Sequence, residues 1–405
     1  VRARMGMMIG KDRVMGPCRA VGHSASSSSS LARRSFSLGS RRSVSAVSAT
    51  LESRDTDAAS SGLDRLVITA PDDWHLHVRD GDVLADVVPH TASEYSRAII
   101  MPNLTPPVTT TRLAEEYKER IRRQVPQGSV FEPLMTLYLT DNMPVDEVYK
   151  AKESGILAFK LYPAGATTNS DSGVTDVRNC FEVFKAMEET GVILLVHGEV
   201  VDPKIDIFDR EKVFIESTLQ VILDKFPRLK VVLEHITTKH AVEFLETAPD
   251  NVGATVTPQH MLLNRNSLLV GGIKPHFYCL PILKREEHRR AIVDAVTTGA
   301  PHFFLGTDSA PHPDRNKLSA CGCAGIYSAP MALPIYAQIF EEAGALGNFE
   351  KFASINGPAF YDVPRNQHKL ELVRETWEVP KSYKFGKDVV VPLGAGTKLN
   401  WRVAC

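Results

Sequence analysis

The strongest chemical signal in the chain is a pair of histidines two residues apart, in Asp73-Trp74-His75-Leu76-His77-Val78-Arg79. On an extended backbone alternate side chains share a face, so His75 and His77 project the same way. Two imidazoles on one face at a strand end chelate a metal ion, each through one ring nitrogen. Other ligand types close later apolar runs: Lys160 in Ala158-Phe159-Lys160-Leu161, His197 in Leu194-Leu195-Val196-His197, His235 in Leu233-Glu234-His235, and Asp308 in Phe304-Leu305-Gly306-Thr307-Asp308. Lys160 to His197 is 37 residues, His197 to His235 is 38, and His235 to Asp308 is 73, close to two such steps.

Each residue alone has an ordinary explanation. A histidine ending an apolar run is commonly a satisfied core residue, a lysine there reaches solvent, and an aspartate before Ser309 caps a helix. The shared interval is what gathers them into one site. Four histidines and an aspartate exceed the needs of one tetrahedral zinc, which points to two ions. A lysine among them is odd, because an ammonium repels a dication. It makes sense if the neutral amine adds carbon dioxide to become a carbamate, an anion whose two oxygens can bridge two metals. Burial and nearby cations lower a lysine pKa and supply that amine.

These side chains need a scaffold that repeats at the same interval. Short β-rich runs at 66–69, 98–101, 135–139, 157–161, 192–196, 230–233, 253–256 and 303–305 alternate with amphipathic stretches at 112–123, 145–153, 177–189, 210–225 and 286–297. Such alternation predicts a parallel sheet, doubly wound or closed as a barrel. The glycine-rich signatures of the common open-sheet nucleotide folds are missing. Polar residues instead follow strand after strand, as in a barrel that builds its site from many C-terminal strand ends. The expected fold is a (β/α)₈ TIM-type barrel with a binuclear metal centre at those ends. His75 and His77 would follow the first strand, Lys160 the fourth, His197 the fifth, His235 the sixth and Asp308 the eighth. The run at 66–69 reads as a short buried strand just ahead of the histidine pair. For the seventh strand, 253–256 competes with the 273–280 region. The β-rich tail at 383–405 is expected to pack against the barrel.

With 43% hydrophobic and 23% charged residues in 405, the chain has ample core-forming material. A net charge of −1 and a pI near 7.0 argue against a general polyanion binder. No apolar run approaches the roughly 18 residues of a spanning helix. Six scattered cysteines suit a reducing compartment, and Cys321-Gly322-Cys323 reads as a turn rather than a metal knuckle. Residues 1–60 differ from the rest. Their first fifty carry Arg2, Arg4, Arg13, Arg19, Arg33, Arg34, Arg41 and Arg42, a serine run at 26–30, and Asp12 as the one acid. This is the composition of an organellar transit peptide, with the mitochondrion favoured over the plastid, although a disordered tail has the same composition. Residues 61–405 are assigned to the barrel.

The ordered motifs resemble the amidohydrolase superfamily, and within it the dihydroorotase family of the single-function bacterial and plant type. The resemblance runs from about Leu63 to Cys405. Besides the ligand motifs it rests on Met101-Pro102-Asn103-Leu104, Phe159-Lys160-Leu161-Tyr162-Pro163, His197-Gly198-Glu199, Glu234-His235-Ile236-Thr237, Tyr278-Cys279-Leu280-Pro281, Asp308-Ser309-Ala310-Pro311-His312 and Cys321-Gly322-Cys323-Ala324-Gly325. It implies two zinc ions and N6-carboxylysine at Lys160. His75, His77, the carbamate and Asp308 would hold one ion, and His197, His235 and the carbamate the other. Arg79 and Asn103 would clamp a substrate carboxylate, with His312 and the backbone near Leu280 and Ala324 as further contacts. Thr167 and Thr168 would lie on a loop that closes over substrate. Asp308 would carry the proton during interconversion of N-carbamoyl-L-aspartate and L-dihydroorotate in pyrimidine biosynthesis. The resemblance further implies a homodimer acting on a small molecule, with neither nucleic acid nor membrane as partner.

Two alternatives stay open on sequence. A hydantoin or cyclic-imide hydrolase would use the same metals, although a ring without a carboxylate gains little from Arg79. A dead barrel kept as a scaffold would be expected to have lost ligands, whereas all six are present.

Overall fold

Eight short runs, nearly all apolar and buried on both faces, form the parallel strands that such composition dictates. They are β1 (Asp72–Leu76), β2 (Arg97–Ile100), β3 (Glu132–Tyr138), β4 (Ala158–Leu161), β5 (Ile193–His197), β6 (Val231–Glu234), β7 (Val252–Val256) and β8 (Phe303–Leu305). Each pairs in parallel with the next along the chain. The computed structural model describes residues 64–320 and 322–404, so the transit-peptide expectation lies outside the described residues. Among the described residues no helix is long and apolar enough to cross a membrane.

The barrel closes just past the end of β8. His77 N donates to Ser309 O at 3.0 Å and Asp308 N to His75 O at 2.9 Å, with a parallel bridge between Leu76 and Ser309. Asp73 fastens the same seam, accepting from Thr307 N at 2.8 Å, Thr307 Oγ1 at 2.5 Å and His75 N at 3.1 Å. Burial drives the Asp73 pKa up to about 7 against the pull of those donors. Gly306 permits the close approach: a Cβ there would stand 2.6 Å from the Thr255 Cβ and 3.1 Å from the His75 Cβ.

Alternation along the strands sorts the side chains into two layers. Ala158, Ile193, Leu195, Val232 and Phe304 fill the barrel interior with Trp74, which stacks on Tyr361 at 4.2 Å. Phe159, Leu161, Leu194, Val196, Leu233 and Leu305 face outward into the helices. The same period makes Lys160, His197 and Glu234 the last inward residues of β4, β5 and β6. The helices cover the outer layer by their apolar faces. In Thr111–Arg122, Ala114, Tyr117 and Ile121 are buried, Thr110 caps the start by accepting from Leu113 N, and Arg120 and Arg122 occupy the last turn.

The first strand departs from expectation. Arg65–Thr69 pairs antiparallel with Lys369–Glu378, in a three-stranded sheet completed by Lys398–Val403, and is only half-buried: Ile68 joins the core but Val67 is 56% exposed. Apolar residues at both parities reveal β-propensity but not which sheet a strand joins. The true first strand opens on Asp72 and Asp73, which resemble a loop until their partners are known. Asp72 takes a bidentate pair from Arg97 on β2 at 2.9 and 2.6 Å. The seventh strand is the 252–256 run. The C-terminal strands pack on the barrel as expected, with buried Trp401 donating to Glu341 on the helix Ala332–Glu342 at 3.0 Å.

Candidate metal centre and substrate pocket

The β1 ladder shifts register between Asp73 and Leu76, and this interruption lets Trp74 and His75 both turn inward. His75, His77 and Asp308 then converge at the seam. His75 Nε2 lies 3.3 Å from His77 Nε2 and 3.3 Å from Asp308 Oδ1, and His77 Nε2 lies 3.2 Å from that same oxygen. Three lone-pair atoms this far apart mark the edges of a tetrahedron whose centre is about 2.0 Å from each corner, the length of a zinc–nitrogen or zinc–oxygen bond. The donor set therefore fits a divalent ion.

A second set combines His75, Glu234 and His235, all buried. His235 follows the inward Glu234, so a regular strand would turn it away. Instead it adopts a left-handed φ of 43°, and Asp308 one of 44°. Each such conformation costs about 1–2 kcal/mol outside glycine. Thr255 Oγ1 holds His235 N at 2.7 Å, and buried Glu211 accepts from the backbone and hydroxyls of Thr237 and Thr238 just beyond. The His235 ring lies 4.8 Å from that of His197 and 4.9 Å from that of His75, and its Nδ1 is buried without a partner among the described residues. His197 belongs to neither three-residue set. Its Nε2 is committed to Glu199 Oε2 at 2.8 Å, leaving Nδ1 as its ligand atom.

The electrostatics suit ligation. Burial lowers the His77 pKa to about 4 and pushes that of His235 well below its ordinary value, so both rings are neutral with free lone pairs at neutral pH. Burial opposes ionisation of Asp308, but His75 and His77 outweigh it and hold the carboxyl below its usual range. Lys160 is fully buried. Burial depresses its amine pKa against the opposing pull of Glu234, to which Nζ donates.

Glu234 and Glu199 were not singled out from sequence. Glu234 Oε2 contacts Lys160 and stands 2.8 Å from His75 Nδ1, while His75 Nε2 is the atom near His77 and Asp308. The available signal was strand parity: an acid at an inward position of an otherwise apolar strand.

Arg79, Asn103, Thr167, Thr168, Leu280 and Ala324 line one pocket with His75, His77, His197, His235 and Asp308, joined by Tyr162. Arg79, at φ 61°, donates Nε–H to Pro311 O at 2.9 Å and has Nη2 3.0 Å from His312 Nε2. The guanidinium forms no ion pair among the described residues. His312 Nε2 also lies 2.9 Å from Ala324 O. Asn103 is less free than expected. Its amide donates to Thr168 O at 3.0 Å, Asn169 donates to Asn103 O at 3.0 Å, and Thr168 Oγ1 reaches Ala324 O at 3.3 Å. The 167–169 loop is thus fastened across the pocket. Cys323 is turned to neither metal set; Cys321 lies outside the described residues.

The Amidohydrolase family model matches residues 68–371. A dihydroorotase of Laribacter hongkongensis is 60% identical over 341 residues, covering 84% of this chain and 99% of its own length. Among solved structures, a dihydroorotase from Campylobacter jejuni superposes with a TM-score of 0.78 at 36% identity, over 84% of this chain and 98% of that one. A Saccharomyces cerevisiae dihydroorotase in complex with 5-fluoroorotic acid gives 0.78 at 34% identity, over 84% and 99%.

Proposed function

The chain belongs to the amidohydrolase family, and from that premise we infer that it interconverts L-dihydroorotate and N-carbamoyl-L-aspartate, the dihydroorotase step of pyrimidine biosynthesis. The observation that carries the substrate is Arg79. A half-buried guanidinium with no acidic partner among the described residues faces the pocket that holds the metal-ligand side chains. Its paired donors suit a planar carboxylate.

We propose two zinc ions per chain. His75, His77 and Asp308 would hold one, His197 and His235 the other, and Lys160, as N6-carboxylysine, would be a ligand to them. When bound, the ions polarise the ring carbonyl and make the attacking water acidic. The chain's own residues do the rest. Arg79 and His312 anchor the carboxylate and orient the ring, and the 167–169 loop excludes water. In hydrolysis the water oxygen bonds to the ring carbonyl carbon and the ring C–N bond breaks. Asp308 Oδ2, the oxygen not turned toward the two histidines, takes the water proton and delivers it to the departing nitrogen. Ring closure reverses these steps.

Arg79→Met tests this substrate assignment. A charge-assisted pair is worth roughly 1.5–3 kcal/mol, so dihydroorotate turnover should fall about ten- to a hundredfold in kcat/KM, with metal content intact. Hydantoin, which lacks the carboxylate, should be turned over slowly by the wild type and be little affected by the substitution. Equal damage to both substrates, or hydantoin preferred by the wild type, removes the dihydroorotate assignment.

We further propose that residues 1–60 direct import into an organelle, the mitochondrion before the plastid, and that the enzyme is a homodimer. A fluorescent fusion carrying the complete native N-terminus should reach that organelle, and its retention in the cytosol would refute the targeting proposal. A single-chain mass by sedimentation would refute the dimer.

A further inference from the structure

Lys317, on the short helix Asp314–Lys317 beyond β8, is buried and donates to three backbone carbonyls: Tyr278 O at 2.7 Å, Cys323 O at 2.8 Å and Gly325 O at 2.7 Å. All three ammonium donors are thereby used, and the charge has no carboxylate partner among the described residues. Burial lowers the Lys317 pKa to about 8, which leaves it charged at neutral pH. The carbonyls come from two segments that touch in one further bond, Gly325 N to Tyr278 O at 3.0 Å. Those segments carry Leu280 and Ala324, which line the pocket.

The direction of one bond decides what this clamp does. In a trans peptide the C=O and the following N–H point oppositely. Fixing the Cys323 carbonyl on Lys317 therefore turns the Ala324 N–H away from the lysine, and that N–H makes no hydrogen bond to protein among the described residues. The Ala324 carbonyl is already occupied by Thr168 and His312. An ammonium on one end of a peptide unit also polarises the N–H at its other end.

We propose that Lys317 is a positioning residue for the anionic substrate, aiming the Ala324 N–H into the pocket and holding the 278–280 and 323–325 segments together as one wall. The proposal rests on the dihydroorotase reading of the pocket. Lys317 touches no metal-ligand side chain, so its loss acts on binding rather than on the metal centre.

The test compares Lys317→Met with the wild type for metal content, kcat, KM for dihydroorotate and Kd for 5-fluoroorotic acid. The expected result is full metal, kcat within about threefold, and KM and Kd raised about tenfold, as for loss of one charge-assisted bond. In Lys317→Ala, added methylammonium should lower KM again. Should the methionine variant fail to fold, Lys317→Gln, which keeps two N–H donors without the charge, supplies the same comparison. Unchanged KM and Kd in a folded variant would overturn the proposal, as would a rise in KM that methylammonium leaves untouched. Were the dihydroorotase reading itself wrong, the wild type would neither turn over dihydroorotate nor bind 5-fluoroorotic acid, a failure visible before any variant is compared.

Discussion

Asp308→Asn should lower kcat by about 10²- to 10⁴-fold, the span expected when a positioned proton carrier is lost. Asparagine keeps the size of the side chain, and it tolerates left-handed backbone as well as aspartate does, so the φ of 44° and the Asp308 N to His75 O bond survive. What disappears is the charge facing two histidine nitrogens and the capacity to accept a proton. If ligation were the whole of its role, the loss should track metal content and excess zinc should restore turnover. The proposed proton transfer requires the variant to stay inactive at full metal loading. Retention of more than about a tenth of wild-type kcat in a metal-replete variant would remove Asp308 from the proton path.

Lys160→Ala should be nearly as damaging, on the order of a thousandfold, because metal stabilisation of the developing charge is worth several kcal/mol and the proposed carbamate ligand would be gone. The site around Lys160 makes the cause separable from simple cavity formation. Its amine is fully buried, is held below its ordinary pKa by that burial, and meets the Glu234 carboxylate. If a carbamate is the active form, acetate or propionate added to Lys160→Ala should occupy the space left and recover part of the activity, while leaving Lys160→Met unaided. Intact mass of the wild-type enzyme should carry an added carbon dioxide that acid removes. Full activity and two bound metals with an unmodified amine would end the carbamate proposal.

The barrel was legible in sequence because its strands are short apolar runs spaced at one strand–helix interval, and that interval carried Lys160, His197 and His235 to successive strand ends. Helix 286–297 was readable to the residue, since Glu286 and Glu287 open it and Ile292 and Val296 mark its buried face. The run at 66–69 misled because pairing partners three hundred residues away decide whether a β-prone segment enters the barrel or an outer sheet. Asp73, Glu199 and Glu234 went unremarked for a related reason. A buried carboxylate is recognisable by the donors around it: for Asp73 and Glu234 these include Thr307, Lys160 and His75 from distant strand ends, and even the local His197 meets Glu199 only because the chain turns just past its strand. The left-handed turns at His235 and Asp308 left no glycine to betray them. Lys317 looked like any lysine on a polar loop until three carbonyls were seen to converge on it.

The barrel seam has a consequence for the way the whole molecule holds together. Asp73 and Thr307, which fasten it, are 234 positions apart, and bringing the ends of so long a segment together costs about 5 kcal/mol of chain entropy. His75, His77 and Asp308 straddle the same join, so an ion captured there acts as a staple across the longest loop of the barrel. Binding that favours only the closed form draws the chain toward closure. Occupancy of the centre and integrity of the barrel are then one linked equilibrium, and loss of the ion should loosen the join between the first strand and the last before it disturbs any neighbouring pair.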